Sequence, residues 1–142
     1  YEQPKTNAAT QPWTLHNDWN FPHASCPMLV VNFRGSAHND IIWGHGHNYG
    51  LYWEERRDDN KDGSTNWRHH VIDDKISQNH CLVWEDLDND GKPDICLCGA
   101  GKVVLLQNGG DSFVEVALPG FTGGARAAVW ADHNGGSGVI LR

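Results

Sequence analysis

Apolar residues along this chain alternate with polar ones in short runs, and glycine, asparagine and aspartate separate the runs. A period of two residues is typical of a half-buried β-strand, whereas a helix requires three-and-four spacing over roughly ten residues or more. No long segment of the sequence has helical spacing. Asp62-Gly63 and Asn108-Gly109-Gly110 are predicted hairpin turns, because these residues tolerate a positive φ. The pattern predicts strands at 28–33, 40–44, 50–54, 67–72, 82–87, 94–97, 102–107, 113–118 and 127–131.

The strand pattern repeats along the chain. Residues 26–44 align with residues 80–98 at an offset of 54, and Trp84-Glu85-Asp86 aligns with Trp130-Ala131-Asp132 at an offset of 46. Each unit contains four strands joined by turns, which is the arrangement of a blade in a β-propeller. The chain is therefore predicted to be all-β, with four antiparallel strands in each propeller blade.

The predicted ring is incomplete, because a propeller contains about four to eight blades. The repeats supply two whole blades and parts of two more. We expect a single propeller fragment over residues 1–142, with an outer strand at Trp13–Asn17 in a leading segment. Its parts are the leading segment 1–25, blade one 26–72, blade two 80–119 and the start of blade three 127–142. Further blades, further copies or another partner would cover the open edges.

An acidic loop lies between two predicted strands at residues 86–94. Gly91 permits a sharp turn, and the Lys92 carbonyl falls at the seventh position. Carboxylates occupy the first, third, fifth and ninth positions, which are Asp86, Asp88, Asp90 and Asp94. Calcium takes about six to eight oxygen ligands, and carboxylates this close repel one another unless a cation joins them. The spacing predicts one Ca²⁺ ion bound by these carboxylates and the Lys92 carbonyl, against the alternative of a solvated acidic hairpin.

The acidic loop and its flanking strands resemble the calcium-binding repeat of the FG-GAP or VCBS family. Such repeats occur in the integrin α-subunit head, in many secreted bacterial proteins and in some fungal lectins. The resemblance covers residues 13–142 and implies propeller blades built around an acidic hairpin loop. It also implies an extracellular, periplasmic or cell-surface location, where millimolar calcium suits a loop of this kind.

Two other loops depart from the acidic pattern. In blade one, Asn32, Arg34 and Ser36 stand where blade two has its first three aspartates. The arginine places a positive charge where the metal would lie, so we expect no metal there. In blade three, Asp132 is kept but Gly136 replaces the third aspartate, so we expect that loop to be empty too.

The opposite ends of the strands are the predicted place for a ligand. Alternating strand direction puts the turns near residues 45–49, 73–81 and 119–126 on the face away from the acidic loop. This face would surround the central funnel of the propeller. Its candidate ligand-binding side chains are His45, His47, Tyr49, His80 and Arg126.

Each of these candidates has a second interpretation. His45 and His47 suit a transition metal such as zinc, copper or nickel, or they hydrogen-bond neighbouring carbonyls within the loop. His80 is either a catalytic base or a structural residue between blades. Arg126 either binds a carboxylate or sulfate in bidentate fashion, or forms a salt bridge with an acidic neighbour.

Four cysteines permit disulfides without requiring them. Cys96 and Cys98 share one face of a predicted strand, and the sequence leaves open whether they are buried thiols or part of a disulfide. Cys26 and Cys81 lie far apart in sequence, which disfavours a zinc site built from two close pairs.

Composition narrows the class of function. A formal net charge of −7 disfavours a nucleic-acid partner, and no apolar run approaches the roughly 20 residues of a membrane-spanning helix. Serine-nucleophile, Walker and dinucleotide-binding motifs are missing from the sequence. The leading hypothesis is a non-catalytic adhesion module that recognises a glycan or a protein on its funnel face. A carbohydrate lyase or dehydratase using His, Arg and Tyr, and a structural subunit of a surface assembly, are the alternatives.

Overall fold

A computed structural model of the chain describes residues 1–17, 27–99, 102–110 and 112–117, and the backbone of 128–133 and 136–141. No helix occurs in these residues, so nothing in them is a helix that could cross a membrane. The all-β prediction is confirmed. The strands are β1 (Met28–Val31), β2 (Asp40–Gly44), β3 (Tyr49–Arg57), β4 (Asn66–Ser77), β5 (Cys81–Glu85), β6 (Asp94–Gly99), β7 (Lys102–Asn108), β8 (Phe113–Val116), β9 (Ala128–His133) and β10 (Gly136–Leu141).

The strands form three antiparallel sheets in chain order. The first sheet has the order β1-β2-β3-β4, the second has the order β5-β6-β7-β8, and β9 pairs with β10 in the third. Equivalent pairs recur, since Met28 opposes Trp43 in the first sheet and Leu82 opposes Leu97 in the second. The described strands form no closed barrel. These features confirm the predicted fold class of four-stranded blades in an incomplete ring.

The β3–β4 hairpin is longer than the sequence predicts. Its pairing continues to Arg57 and Asn66, beyond the apolar stretch that defined the predicted strands. The charged residues of β3 have partners on β4, because Glu54 lies 2.7 Å from His69 and Glu55 lies 2.7 Å from His70. Side-chain pairs that hydrogen-bond across two strands stabilise a sheet. The hairpin therefore extends through residues that carry no alternation of apolar and polar positions.

The predicted hairpin turns are present. In the β3–β4 turn, Gly63 has a φ of 82° and donates its N–H to the Asn60 carbonyl at 2.8 Å. In the β7–β8 turn, Gly110 has a φ of 96° and donates to the Asn108 side chain at 2.8 Å. Both glycines occupy the left-handed region that other residues adopt at a cost.

The structure gives no strand at Trp13–Asn17, where the sequence predicts an outer one. Thr14 forms a single isolated bridge with Glu2, through backbone hydrogen bonds of 2.7 and 3.0 Å. The Trp13 indole donates to the Ala8 carbonyl, and the His16 ring lies 2.8 Å from the Glu2 carboxylate. These polar groups are thus satisfied locally, by other residues of the same segment 1–17.

The main hydrophobic core lies between the first and second sheets. Alternate side chains of each sheet point into it, and Leu51 and Leu97 are both 0% exposed. The first sheet contributes Val31, Phe33, Ile42, Leu51, Trp53 and Ile76, and the second contributes Leu82, Ile95, Leu97, Val104 and Leu106. This shared core fixes one sheet against the other, and with it the relative position of their loops.

A second, smaller cluster lies on the other face of the second sheet. Cys96 and Cys98 are buried there, and Cys81 packs beside them with Val83, Val103 and Leu105. Cys96 and Cys98 are thiols in this structure, which is the first of the two alternatives that the sequence leaves open for them. Cys26 lies outside the described residues.

The buried thiols lead to a prediction about reactivity. Burial raises the pKa of Cys96 to about 12 and that of Cys98 to about 11. Because the thiolate is the nucleophile, we expect iodoacetamide at pH 8 to label both residues slowly in the native protein and readily in denaturant. Peptide mapping by mass spectrometry would measure the two rates. Equal labelling in both states would contradict the burial of these side chains.

Candidate metal centre and ligand face

The acidic loop joins β5 to β6 and gathers three carboxylates. Oxygen atoms of Asp86, Asp88 and Asp90 all lie within 4.8 Å of one another. The chain turns sharply here through two left-handed residues, Asn89 with a φ of 59° and Gly91 with a φ of 84°. Carboxylate oxygens are the ligands that hard divalent cations prefer, so the three side chains can hold a metal ion.

Backbone N–H groups hold these carboxylates in place. Asp86 accepts hydrogen bonds from the N–H groups of Asp90 at 3.0 Å and Gly91 at 2.9 Å. Asp88 accepts from the Asp90 N–H at 3.1 Å and also from the Gln107 side-chain amide. The loop is therefore shaped by its own side chains, which turn inward toward its backbone.

Lys92 has a contact that the sequence interpretation did not anticipate. Its ammonium lies 2.8 Å from an Asp90 oxygen, and its backbone N–H donates to the other Asp90 oxygen at 2.8 Å. The side-chain hydrogen bond from Lys92 is the main cause that lowers the pKa of Asp90, and the same contact raises the pKa of Lys92. The chain thus neutralises part of the loop's charge, while Asp86 and Asp88 form no salt bridge among the described residues.

Asp94 is buried and lies apart from the close group formed by the other three aspartates. Its side chain is 1% exposed, and its two oxygens accept the backbone N–H groups of Asn108 at 2.8 Å and Leu87 at 3.0 Å. It fastens the start of the loop and the end of β7 to the first residue of β6. Since Asp94 is not part of the close trio, its role as a metal ligand stays a prediction, as does that of the Lys92 carbonyl.

His45 is a packing residue at the opposite end of the strands. It is 3% exposed, and its ring makes edge contacts with Trp43 at 5.1 Å and Tyr52 at 5.6 Å between centroids. Its neighbour Tyr49 is 59% exposed. This environment favours the interpretation of His45 as a structural loop residue over a shared metal site with His47.

His47 instead lies beside His80. Their ring centroids are 5.6 Å apart with an interplanar angle of 69°, and both side chains are exposed. His47 belongs to the loop after β2, whereas His80 precedes β5, so the contact joins the first and second sheets. Arg126 lies outside the described residues.

Asn79 holds these two segments together. It is 0% exposed, its N–H donates to the His45 carbonyl at 2.9 Å, and its side-chain amide donates to the Gly50 carbonyl at 2.9 Å. Gly44 makes room for it, since a Cβ there would lie 2.8 Å from the Asn79 Cβ. Sequence reasoning missed Asn79, because an asparagine between strands carries no local sign of burial.

The acidic loop and the histidine pair lie at opposite ends of the strands. The β1–β2 loop and the acidic loop both line one cleft of about 480 Å³, which includes Arg34, Gly35, Lys92 and Pro93. The turns that carry His47 and His80 follow the far ends of β2 and β4. The structure therefore separates the three carboxylates from His47 and His80.

Comparison with known families identifies the segment that contains the acidic loop. Residues 86–135 match the FG-GAP-like repeat, starting at the first aspartate of the loop and ending after β9. No curated protein and no solved structure matches the chain. FG-GAP repeats often bind calcium and are typical of extracellular proteins. The match confirms the predicted resemblance for residues 86–135, which are similar to an FG-GAP-like repeat, and this similarity suggests a domain of the β-propeller type.

Proposed function

We propose that this chain is a calcium-stabilised extracellular binding module of the β-propeller type, which recognises a glycan or a protein on the face that carries His47 and His80. The observation that carries the proposal is the contact of these two exposed histidines across two sheets, 5.6 Å between ring centroids. Exposed aromatic and hydrogen-bonding side chains held close together are suited to recognition.

The rigidity of this face supports a role in binding. The buried Asn79 ties the loop of His47 to the segment of His80, so little conformational freedom is lost when a ligand contacts both. Tyr49 adds an exposed aromatic ring to the same loop. Arg126 would contribute a cation if it follows the alignment with His80 that the sequence repeat predicts.

Calcium is assigned a structural role in this proposal. Asp86, Asp88 and Asp90 would hold the ion, which would neutralise their charge and fix the β5–β6 hairpin. The side chains of this trio lie at the far ends of the strands from His47 and His80, so calcium would not contact the ligand. Millimolar affinity is usual for extracellular calcium modules, which agrees with the proposed location outside the cell.

The experiment is a binding screen in millimolar calcium, with the chain applied to a glycan array and to a panel of immobilised extracellular proteins. For any ligand found, we expect His47→Ala combined with His80→Ala to weaken binding about tenfold or more, since each 1.4 kcal/mol is a factor of ten. His16→Ala is the matched control, because His16 is an exposed histidine of the leading segment. Undiminished binding by the double variant would place the ligand elsewhere.

A further inference from the structure

The loop that joins β1 to β2 has the same framework as the acidic loop. Asp40 is the first residue of β2 and is 0% exposed, and Asp94 is the first residue of β6 and is 1% exposed. One oxygen of each accepts a backbone N–H from the end of the neighbouring strand at 2.8 Å, from Arg56 for Asp40 and from Asn108 for Asp94. The two loops therefore place a buried carboxylate at equivalent points.

The second oxygen of the carboxylate distinguishes the two loops. In the acidic loop, the second oxygen of Asp94 accepts the Leu87 N–H at 3.0 Å. In the first loop, the second oxygen of Asp40 is buried and has no hydrogen-bond partner among the described residues. The Arg34 guanidinium lies 3.5 Å from it. A buried carboxylate without a compensating charge is strongly unfavourable, so this oxygen requires a cation.

The Arg34 guanidinium is the cation beside Asp40, and several other contacts hold it there. Its guanidinium lies 3.0 Å from a Glu55 oxygen and donates to the Arg56 carbonyl at 3.3 Å. It also lies 5.7 Å from the ring centroid of Trp53, within the range of a cation–π interaction. Its side chain is 31% exposed, so water screens it only in part.

Glu55 is a second carboxylate beside the Arg34 guanidinium. Burial would raise the pKa of Glu55, but hydrogen bonds from His70 and Arg57 and the charges of Arg34 and Arg57 outweigh burial and lower it. Glu55 is therefore ionised at neutral pH, and the Arg34 guanidinium lies between this carboxylate, which Arg57 also contacts, and that of Asp40. Asn32 and Ser36 add further oxygen-bearing side chains to the loop, at the positions of Asp86 and Asp90.

We infer that the β1–β2 loop is a second cation site of this fold, filled by the Arg34 guanidinium in place of a metal ion, and that its oxygen donors accept Ca²⁺ once Arg34 is replaced by an acidic residue. The inference rests on contacts within the first sheet. It does not require the acidic loop of the second sheet to bind calcium.

The test uses the chain with Asp88→Ala, which removes a carboxylate of the acidic loop, as the background. Adding Arg34→Asp supplies a carboxylate at the third position of the first loop. We expect calcium titration calorimetry to detect one site in the double variant and none in Asp88→Ala alone. A folded double variant that binds no calcium up to about 10 mM, above the range of extracellular modules, would overturn the inference.

Calcium titration of the wild-type chain tests the proposed site in the second sheet separately. If that site does not exist, the wild-type chain binds no calcium. The new site would still be measurable in the double variant. If the double variant unfolds without metal, refolding on addition of CaCl₂ but not NaCl of equal ionic strength supports the inference, and no refolding in CaCl₂ contradicts it.

Thermal unfolding provides a second test with a matched control. Arg57 also pairs with Glu55, at 3.2 Å, and in the described structure it forms no salt bridge with Asp40. We expect Arg34→Ala to lower the Tm by about 5–10 °C, and Arg57→Ala to lower it by only about 1–3 °C. Equal shifts for the two variants would show that the buried Asp40 oxygen does not depend on Arg34.

Discussion

Removal of calcium is expected to destabilise the wild-type chain. If the folded state alone binds one ion, a free calcium concentration one hundred times the dissociation constant stabilises it by about 2.7 kcal/mol. The reason is electrostatic, because oxygens of Asp86, Asp88 and Asp90 lie within 4.8 Å of one another and, in the part of the chain that the structure describes, only Asp90 of the three forms a salt bridge with a lysine. Urea unfolding with calcium and with EDTA would measure the difference.

Asp88→Ala should abolish this dependence on calcium. The variant is expected to have the same free energy of unfolding in calcium and in EDTA, and to give no heat of binding in calorimetry. Asp58→Ala is the control, since the Asp58 side chain is 97% exposed and lies outside the acidic loop. A calcium response that survives in Asp88→Ala and is lost in Asp58→Ala would refute the assignment of the site.

Leu97→Ala is expected to cause the largest loss of stability from a single side chain. Leu97 is 0% exposed in the core between the first and second sheets, where the surrounding strands restrict collapse of the cavity left behind. Buried Leu→Ala substitutions cost about 2–5 kcal/mol. Urea unfolding in a constant calcium concentration would give the difference between variant and wild type.

Val114→Ala is the control for this prediction. Val114 lies on β8 of the same sheet and is 57% exposed, so its truncation should change the free energy of unfolding by no more than about 0.5 kcal/mol. Similar losses in both variants would mean that the two sheets do not share a buried core.

Local sequence was sufficient to predict the positions of β1 to β9 and the acidic loop. Alternation of apolar and polar residues depends on neighbours along one strand, and the turns at Gly63 and Gly110 need residues that accept positive φ. The spacing of the aspartates in residues 86–90 likewise brings their carboxylates together within a single turn. Each of these features is formed by residues that are close in sequence. It can therefore be predicted from the sequence without knowledge of the tertiary structure.

Burial of polar residues depended on the tertiary structure. Glu54 and Glu55 are 4% and 6% exposed although both are charged, because His69 and His70 on the adjacent strand pair with them. Asn79 is buried because its hydrogen-bond partners are in the loop after β2 and at the start of β3. No local pattern reveals a partner that lies tens of residues away.

The candidate sites also depend partly on local sequence and partly on the tertiary structure. The sequence by itself located three carboxylates in one loop and indicated which turns share the opposite face. Only the tertiary structure decided that His47 lies beside His80 and that His45 is buried against Trp43 and Tyr52. The fold of the β1–β2 loop brings the Arg34 guanidinium to 3.5 Å from the buried Asp40 oxygen, because the pairing of β1 with β2 turns the loop back on itself.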